Sequence, residues 1–318
     1  MIYRFGKQDT PRRRVEKYCF RKERQNTFCY LWAGLSLDVF ERFHAEGVKI
    51  IIERINCHQA MTKDVLSKAS AALHLPPDHN ITPASLADER RKLEISDAIF
   101  CPSPMVSKSL IANGVDQNKL LQTSYGWSPN RFPNISQAWQ KKTRQPIFLF
   151  VGALCVRKGV PLLLKAWEQA DIAGQLIFCG NMDKAIQENF SHYFKREDIC
   201  HVPHTDNIGH YYNLADVFVF PSLEEGGPMV TYEAMAHGVI PLVSKMGAGA
   251  IVQDKKNGLI LEYNVESWRA AILAVSQRFT RMSKLAVAAR ERAAEFTWDK
   301  VAARRATLLQ AKFPELWR

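Results

Sequence analysis

The sequence predicts an α/β protein of two parallel-sheet units facing a cleft, and three observations predict it. Strand-length apolar runs alternate with helical-period segments from about residue 27 onward, the order that buries parallel strands beneath helices on both faces. Several of those runs are apolar throughout rather than alternating, as strands covered on both faces are. A polar stretch with three prolines, 129–146 (PNRFPNISQAWQKKTRQP), interrupts the alternation and reads as a linker between units.

The expected strands of the first unit are Thr27–Trp32, Val48–Glu53 and Ala98–Cys101. Those of the second are Ile147–Gly152, Gln175–Gly180, Val217–Pro221 and Val239–Ser244. Helical periods fall at Ser36–Glu46, Lys63–Leu73, Ser85–Glu94, Gly159–Gln169 and Met229–His237. After Asp254 the pattern is helical, over Val265–Arg278, Arg281–Glu295 and Trp298–Lys312, and forms a C-terminal helical tail. The chain thus divides into a basic segment 1–26, a first unit 27–135, a second unit 145–295 and a last helix 296–318.

With 318 residues, 47% hydrophobic and 24% charged, the chain is too apolar for disorder and too long for a stapled scaffold. Its longest apolar run, Ile147–Val156, is half the ~20 residues a membrane-spanning helix needs. No apolar stretch follows the first charges, so no secretory leader is expected. The seven cysteines contain no Cys-x-x-Cys pair and cannot all pair internally; they read as reduced, cytosolic thiols packed as small hydrophobes. Net charge is +11, of which residues 1–26 carry +6 (nine Lys/Arg against three acids). Such a stretch attracts polyanions such as anionic lipid, or it is simply a solvated terminus. Nucleic acid is not an expected partner, because the basic residues lack interleaved aromatics or a known module.

Ligands of open α/β sheets bind beyond the carboxyl ends of the strands, and three places there carry chemistry. In VGALCVRKGVPLLLKAW (151–167) a strand ends, Arg157 and Lys158 follow on a short loop, and Gly159 opens a helix. Two cations beside a helix start suit a phosphate, and a surface Arg-Lys pair is the plainer reading. In FVFPSLEEGGPMVTYEAMAHGVIPLVS (218–244) a loop holds Glu224, Glu225, Gly226 and Gly227, Pro228 takes a first helical position, and Gly238 ends the helix. The helix dipole explains acids near its start, but not Gly-Gly-Pro or Glu233 one turn deeper. Carboxylates beside an anion site fit a ligand both phosphorylated and rich in hydroxyls. The third place is His58, after the strand ending at Glu53; a lone histidine there is more often packed than catalytic.

Taken together, these residues resemble the retaining glycosyltransferases of family 4, of the group 1 type with the two-Rossmann GT-B architecture. EGGPMVTYEA (225–234) matches that family's two glutamates separated by seven residues. YYNLADVFVFPS (211–222) resembles the helix and strand leading into the motif, VGALCVRKG its phosphate loop, and KKNGLILE (255–262) the strand that follows. DAIFCPSPMVSKSLIANGVDQNKL and YGWSPNRF resemble the end of the first domain and the crossover.

The resemblance implies transfer of a sugar from a nucleotide diphosphate sugar to an acceptor hydroxyl with retention, in cell-surface polysaccharide or lipid-linked glycan synthesis. Glu225 would contact the hexose hydroxyls, Glu233 the ribose, and Lys158 with Arg157 the diphosphate. Gly226, Gly227, Met229 and Val230 would hold sugar and phosphate from the helix start, Gly152 and Gly180 would line the donor site, and His58 would face the donor sugar. No Asp-x-Asp occurs in the chain, so neither a metal nor another cofactor is expected. A glycan or lipid-linked acceptor and a peripheral position on the inner, cytoplasmic membrane face complete the expectation. The pattern departs at Ala153, where Arg is common, at Ala250 (Glu) and at Ser128 (Asp). Set against that family, the first domain is expected to be short by one or two strand–helix units and to lack a glycine-rich loop, either because the start is truncated or because the domain is reduced. Two other readings are a catalytically impaired relative that binds nucleotide sugar or serves as a partner subunit, and, remotely, an epimerase of the same fold.

Overall fold

The computed structural model describes residues 28–135, 145–278 and 282–317. The basic segment 1–26 and the centre of the 129–146 connection lie outside the described residues. The first unit runs β1 (Phe28–Trp32), α1 (Leu37–Ala45), β2 (Lys49–Glu53), α2 (Gln59–Ala72), α3 (Pro83–Ile95), β3 (Ala98–Cys101), α4 (Pro104–Ala112) and β4 (Leu120–Gln122). Its sheet is parallel, in the order β1-β2-β3-β4. Local chemistry sets the helix starts. Thr82 and Ser85 form a reciprocal capping box ahead of α3, and Ser103 caps α4; each helix then carries proline where a missing N–H does no harm.

The second unit holds β5 (Ile147–Val151), α5 (Val160–Ala170), β6 (Gln175–Cys179), α6 (Lys184–Phe190), β7 (Ile199–Val202), α7 (Ile208–Leu214), β8 (Val217–Phe220), α8 (Met229–Ala236), β9 (Ile240–Ser244) and β10 (Leu259–Leu261). Its parallel sheet has the order β10-β9-β8-β5-β6-β7. β5, β8 and β9 are buried along their whole length, which explains why they read as continuous apolar runs. Helices α9 (Val265–Arg278), α10 (Ser283–Ala294) and α11 (Trp298–Lys312) follow. No helix among the described residues is long and apolar enough to cross a membrane.

Three expectations change. β4 and β7, three and four residues long, were not among the expected strands; both lie at sheet edges, partly exposed, and give no long apolar run. Pro228 is the N-cap of α8 rather than its first helical residue, because its ψ of 95° is still extended. The connection after β4 is not a free linker at its start: Trp127 and Phe132 are buried in the core of the second unit.

The last helix crosses back. Trp127 N–H donates to the Phe296 carbonyl at 3.0 Å, and Trp298 N–H to the Trp127 carbonyl at 3.1 Å, so the two chain crossings run side by side. α11 then packs on the first sheet, where Phe313 joins Ile51, Ala98, Phe100 and Leu121. Arg305 fastens it there. Its guanidinium reaches Glu53 at 2.9 and 3.1 Å, the Ser124 carbonyl at 3.0 Å and the Thr123 hydroxyl at 3.1 Å.

Candidate active site

The carboxyl ends of β2 and β8 meet across the two units. From β8 comes the loop 221–228, from β2 the loop 54–58, and they touch directly. Gly226 lies so close that a Cβ there would stand 1.8 Å from the Ile55 carbonyl oxygen, and one on Gly227 would meet the Tyr125 ring at 2.8 Å. Only glycine permits this approach of backbone to backbone.

The loop between β5 and α5 brings in the cations. Lys158 forms an ion pair with Glu225 and lies 5.2 Å from the Phe220 ring centroid. Arg157 Nη1 is 3.8 Å from both Glu224 and Glu225 carboxylates and donates to the Glu224 carbonyl at 3.2 Å. Burial, and then the neighbouring guanidinium of Arg157, push the Lys158 ammonium down to about 7, with the Glu224 charge opposing them. The N–H groups of Gly159 and Val160 are taken by the Val156 and Cys155 carbonyls, and Pro161 has none. These helix-start donors are therefore spent or absent, and side-chain charge is the main feature this loop offers an anion.

Glu224 does something that sequence reasoning missed. It is 1% exposed, and its carboxylate accepts from Asn56 Nδ2 at 2.8 Å and from the Cys57 N–H at 3.1 Å. It therefore clasps the second unit onto the first. Its position beside Glu225 hid the distinction, since only the fold tells which of two adjacent acids meets the opposite loop. Gly152 and Gly180 have φ of 145°, and a Cβ on Gly180 would stand 2.0 Å from the Gly152 carbonyl oxygen. These two glycines let the loops after β5 and β6 pass each other.

Glu233 has other partners than the Lys158–Glu225 pair. It is 5% exposed on α8, paired with Arg131 at 2.6 Å, and accepts from the Tyr212 hydroxyl at 3.0 Å. Burial raises its pKa, against the pull of Arg131 and Tyr212. Neither partner was visible in the sequence, because they lie 102 and 21 residues away. Met229 begins α8 and is 45% exposed, with Val230 half-buried beside it.

His58 is the N-cap of α2, where its Nδ1 accepts from the Ala60 N–H at 3.1 Å. Its Nε2 lies 3.4 Å from Glu89, which also pairs with Arg54 at 2.6 Å. Burial lowers the His58 pKa, with Glu89 opposing. The ring lines a cavity of about 520 Å³ with Arg90, Asn113 and Lys119. The structure thus brings together Lys158, Arg157, Glu225, Gly226 and Gly227, and gives Glu233 and His58 partners of their own.

Among the described residues one group could present ligands to a metal. Asp78, Cys155 and Asp183 each offer one atom within 4.8 Å of the others. Both carboxylates already accept backbone N–H groups, from Arg157 at 3.2 Å and Ile186 at 2.8 Å, so they have local structural work without an ion.

The description Glycosyl transferases group 1 matches residues 131–294. That is just over half of the sequence, and the chain belongs to this family. An uncharacterized glycosyltransferase of Haemophilus influenzae is 28% identical over 131 residues, 39% of this chain and 37% of that protein. Another, of Methanocaldococcus jannaschii, is 30% identical over 159 residues, covering 48% and 44% of the two chains. The matched stretch is thus under half the length of either relative. Among solved structures, Anabaena HepE in complex with UDP and glucose aligns with a TM-score of 0.69 at 14% identity, over 94% of this chain and 81% of that one. Sucrose-phosphate synthase from Thermosynechococcus elongatus gives 0.66 at 20% identity, over 88% and 77%. The fold is that of the GT-B glycosyltransferases.

Proposed function

We propose that the protein is a glycosyltransferase that moves a sugar from a nucleoside diphosphate sugar to an acceptor hydroxyl with retention of configuration. The observation that carries this reading is the meeting of Lys158, Arg157 and Glu225 where β5 and β8 end, opposite the β2 loop. Lys158 and Glu225 lie against each other there. The donor separates them: the diphosphate takes Lys158 and Arg157, and the sugar hydroxyls take Glu225. The bond from the anomeric carbon to the phosphate oxygen breaks with its electron pair leaving on the diphosphate. The acceptor oxygen then bonds to the anomeric carbon from the same face, and its proton passes to a phosphate oxygen. Cations preset around the developing charge lower the barrier without reorganising.

Glu233 holds the ribose in this reading once Arg131 swings off it, an exchange made easy because the Arg131 side chain is 58% exposed. Glu233→Ala is expected to lose most transferase activity, chiefly through a raised KM for the donor. Steady-state kinetics check this, and an unchanged KM removes the ribose role. Transfer or hydrolysis of UDP-, GDP- and ADP-sugars tests the reading as a whole. Binding without turnover would instead support a nucleotide-sugar-binding partner subunit.

The acceptor in this reading is a surface or lipid-linked glycan, with the enzyme peripheral on the cytoplasmic membrane face through its basic N-terminal segment. Flotation with anionic liposomes is expected at low salt and lost at high salt. Absence of binding at low salt contradicts it.

A further inference from the structure

A second charged cavity lies beside the paired chain crossings, and no residue of the Lys158 loop lines it. Its volume is about 580 Å³. Thr123 and Ser124 of the first unit, Arg292 of α10, and Arg304 and Thr307 of α11 line it, with Phe296 between the two helices. Both guanidiniums rest on that one ring, their Cζ atoms 4.7 and 5.0 Å from its centroid.

The charge there is unbalanced. Glu295 pairs with Arg292 at 2.5 Å, while Arg304 donates to the Glu295 main-chain carbonyl at 2.8 Å. One carboxylate therefore serves two cations crowded against one aromatic ring. The Nε of Arg292 is buried and finds no acceptor among the described residues. A buried donor left unpaired carries an uncompensated desolvation cost, and a ligand oxygen that accepts from it removes that cost. Hydroxyls on the facing wall supply hydrogen bonds at neutral positions, and Leu308 adds apolar surface.

We infer that this cavity is a binding site for a small oxyanion-bearing molecule, whose phosphate or carboxylate group is gripped by Arg292 and Arg304. Guanidinium forks match both groups. Because Thr123 and Ser124 belong to the first unit and Arg292 to the second, the bound anion spans the crossings and favours the packed arrangement of the two units over separated ones. The site is independent of the donor reading, since none of its lining residues belongs to the Lys158–Glu225 cluster.

Calorimetric titration with inorganic phosphate, and separately with citrate, tests the inference on the wild-type chain and on Lys158→Ala, Arg304→Gln and Arg292→Gln/Arg304→Gln. At this site phosphate is expected to bind wild type and Lys158→Ala alike, about tenfold more weakly in Arg304→Gln, and undetectably in the double variant, any binding at the Lys158 loop being the part that Lys158→Ala removes. Citrate binding with the same pattern identifies the carboxylate as an equal ligand, and phosphate binding alone assigns the site to phosphorylated molecules. Arg304 is exposed, so its single replacement reports on binding even where the double variant folds poorly. No binding of either anion by wild type overturns the inference, and so does binding lost in Lys158→Ala but kept by the Arg292 and Arg304 variants.

Discussion

Replacing Lys158 with alanine is expected to lower sugar transfer by about 100- to 1,000-fold, the usual loss when one preset electrostatic donor is removed from a developing negative charge. The ammonium is largely buried and pushed down to about 7, so near neutrality it is partly deprotonated before the donor arrives. A diphosphate needs the charged form. Donor binding should therefore draw a proton from solution, and affinity should fall by up to about tenfold per unit as pH rises above 7. Below 7 the ammonium is already charged and the dependence flattens. Kinetics of Lys158→Ala across pH check both points: near-normal turnover, or the same pH slope in the variant, contradicts the assignment.

Arg305→Ala is expected to destabilise the whole chain by about 3–5 kcal/mol, the range for stripping one partner from a buried ion pair. Glu53 is 1% exposed. Without Arg305 it keeps the Tyr30 hydroxyl, and its charge is left uncompensated at the end of β2. The same guanidinium also holds Thr123 and the Ser124 carbonyl and lies 5.0 and 5.8 Å from the Phe100 and Tyr125 ring centroids. Its loss releases α11 from the first unit at all of these places at once. Chemical denaturation is the readout. The pairing of Glu53→Gln with Arg305→Ala should recover part of the loss, because the buried charge is then gone from both sides. An unchanged midpoint in Arg305→Ala contradicts the role given to this helix.

Both predictions rest on contacts that differ in how far the sequence announced them. The strands of the second sheet were legible because burial on both faces leaves an unbroken apolar run, and β5, β8 and β9 are such runs. The Lys158 and Glu225 cluster was legible because both sit directly after strands and beside glycines, where a fixed local geometry leaves a chemical trace. Arg305, by contrast, reads as one more basic residue in a helical tail. Nothing local says that it reaches Glu53 across 252 residues. Glu224 and Glu225 show the same limit at short range: adjacent acids, of which one clasps the opposite unit and the other meets the lysine. Arg131 on Glu233 belongs here too, since a pairing between a crossover and a helix depends on how the chain returns, not on spacing.

Titration of UDP, GDP and ADP into the wild-type chain and into Lys158→Ala, run in two buffers of different ionisation heat, tests the central claim most directly. The account predicts saturable binding of at least one of the three with net proton uptake at pH 8, and loss of both binding and uptake in the variant. Binding that is equally tight in Lys158→Ala, or no binding of any of the three to wild type, would contradict it.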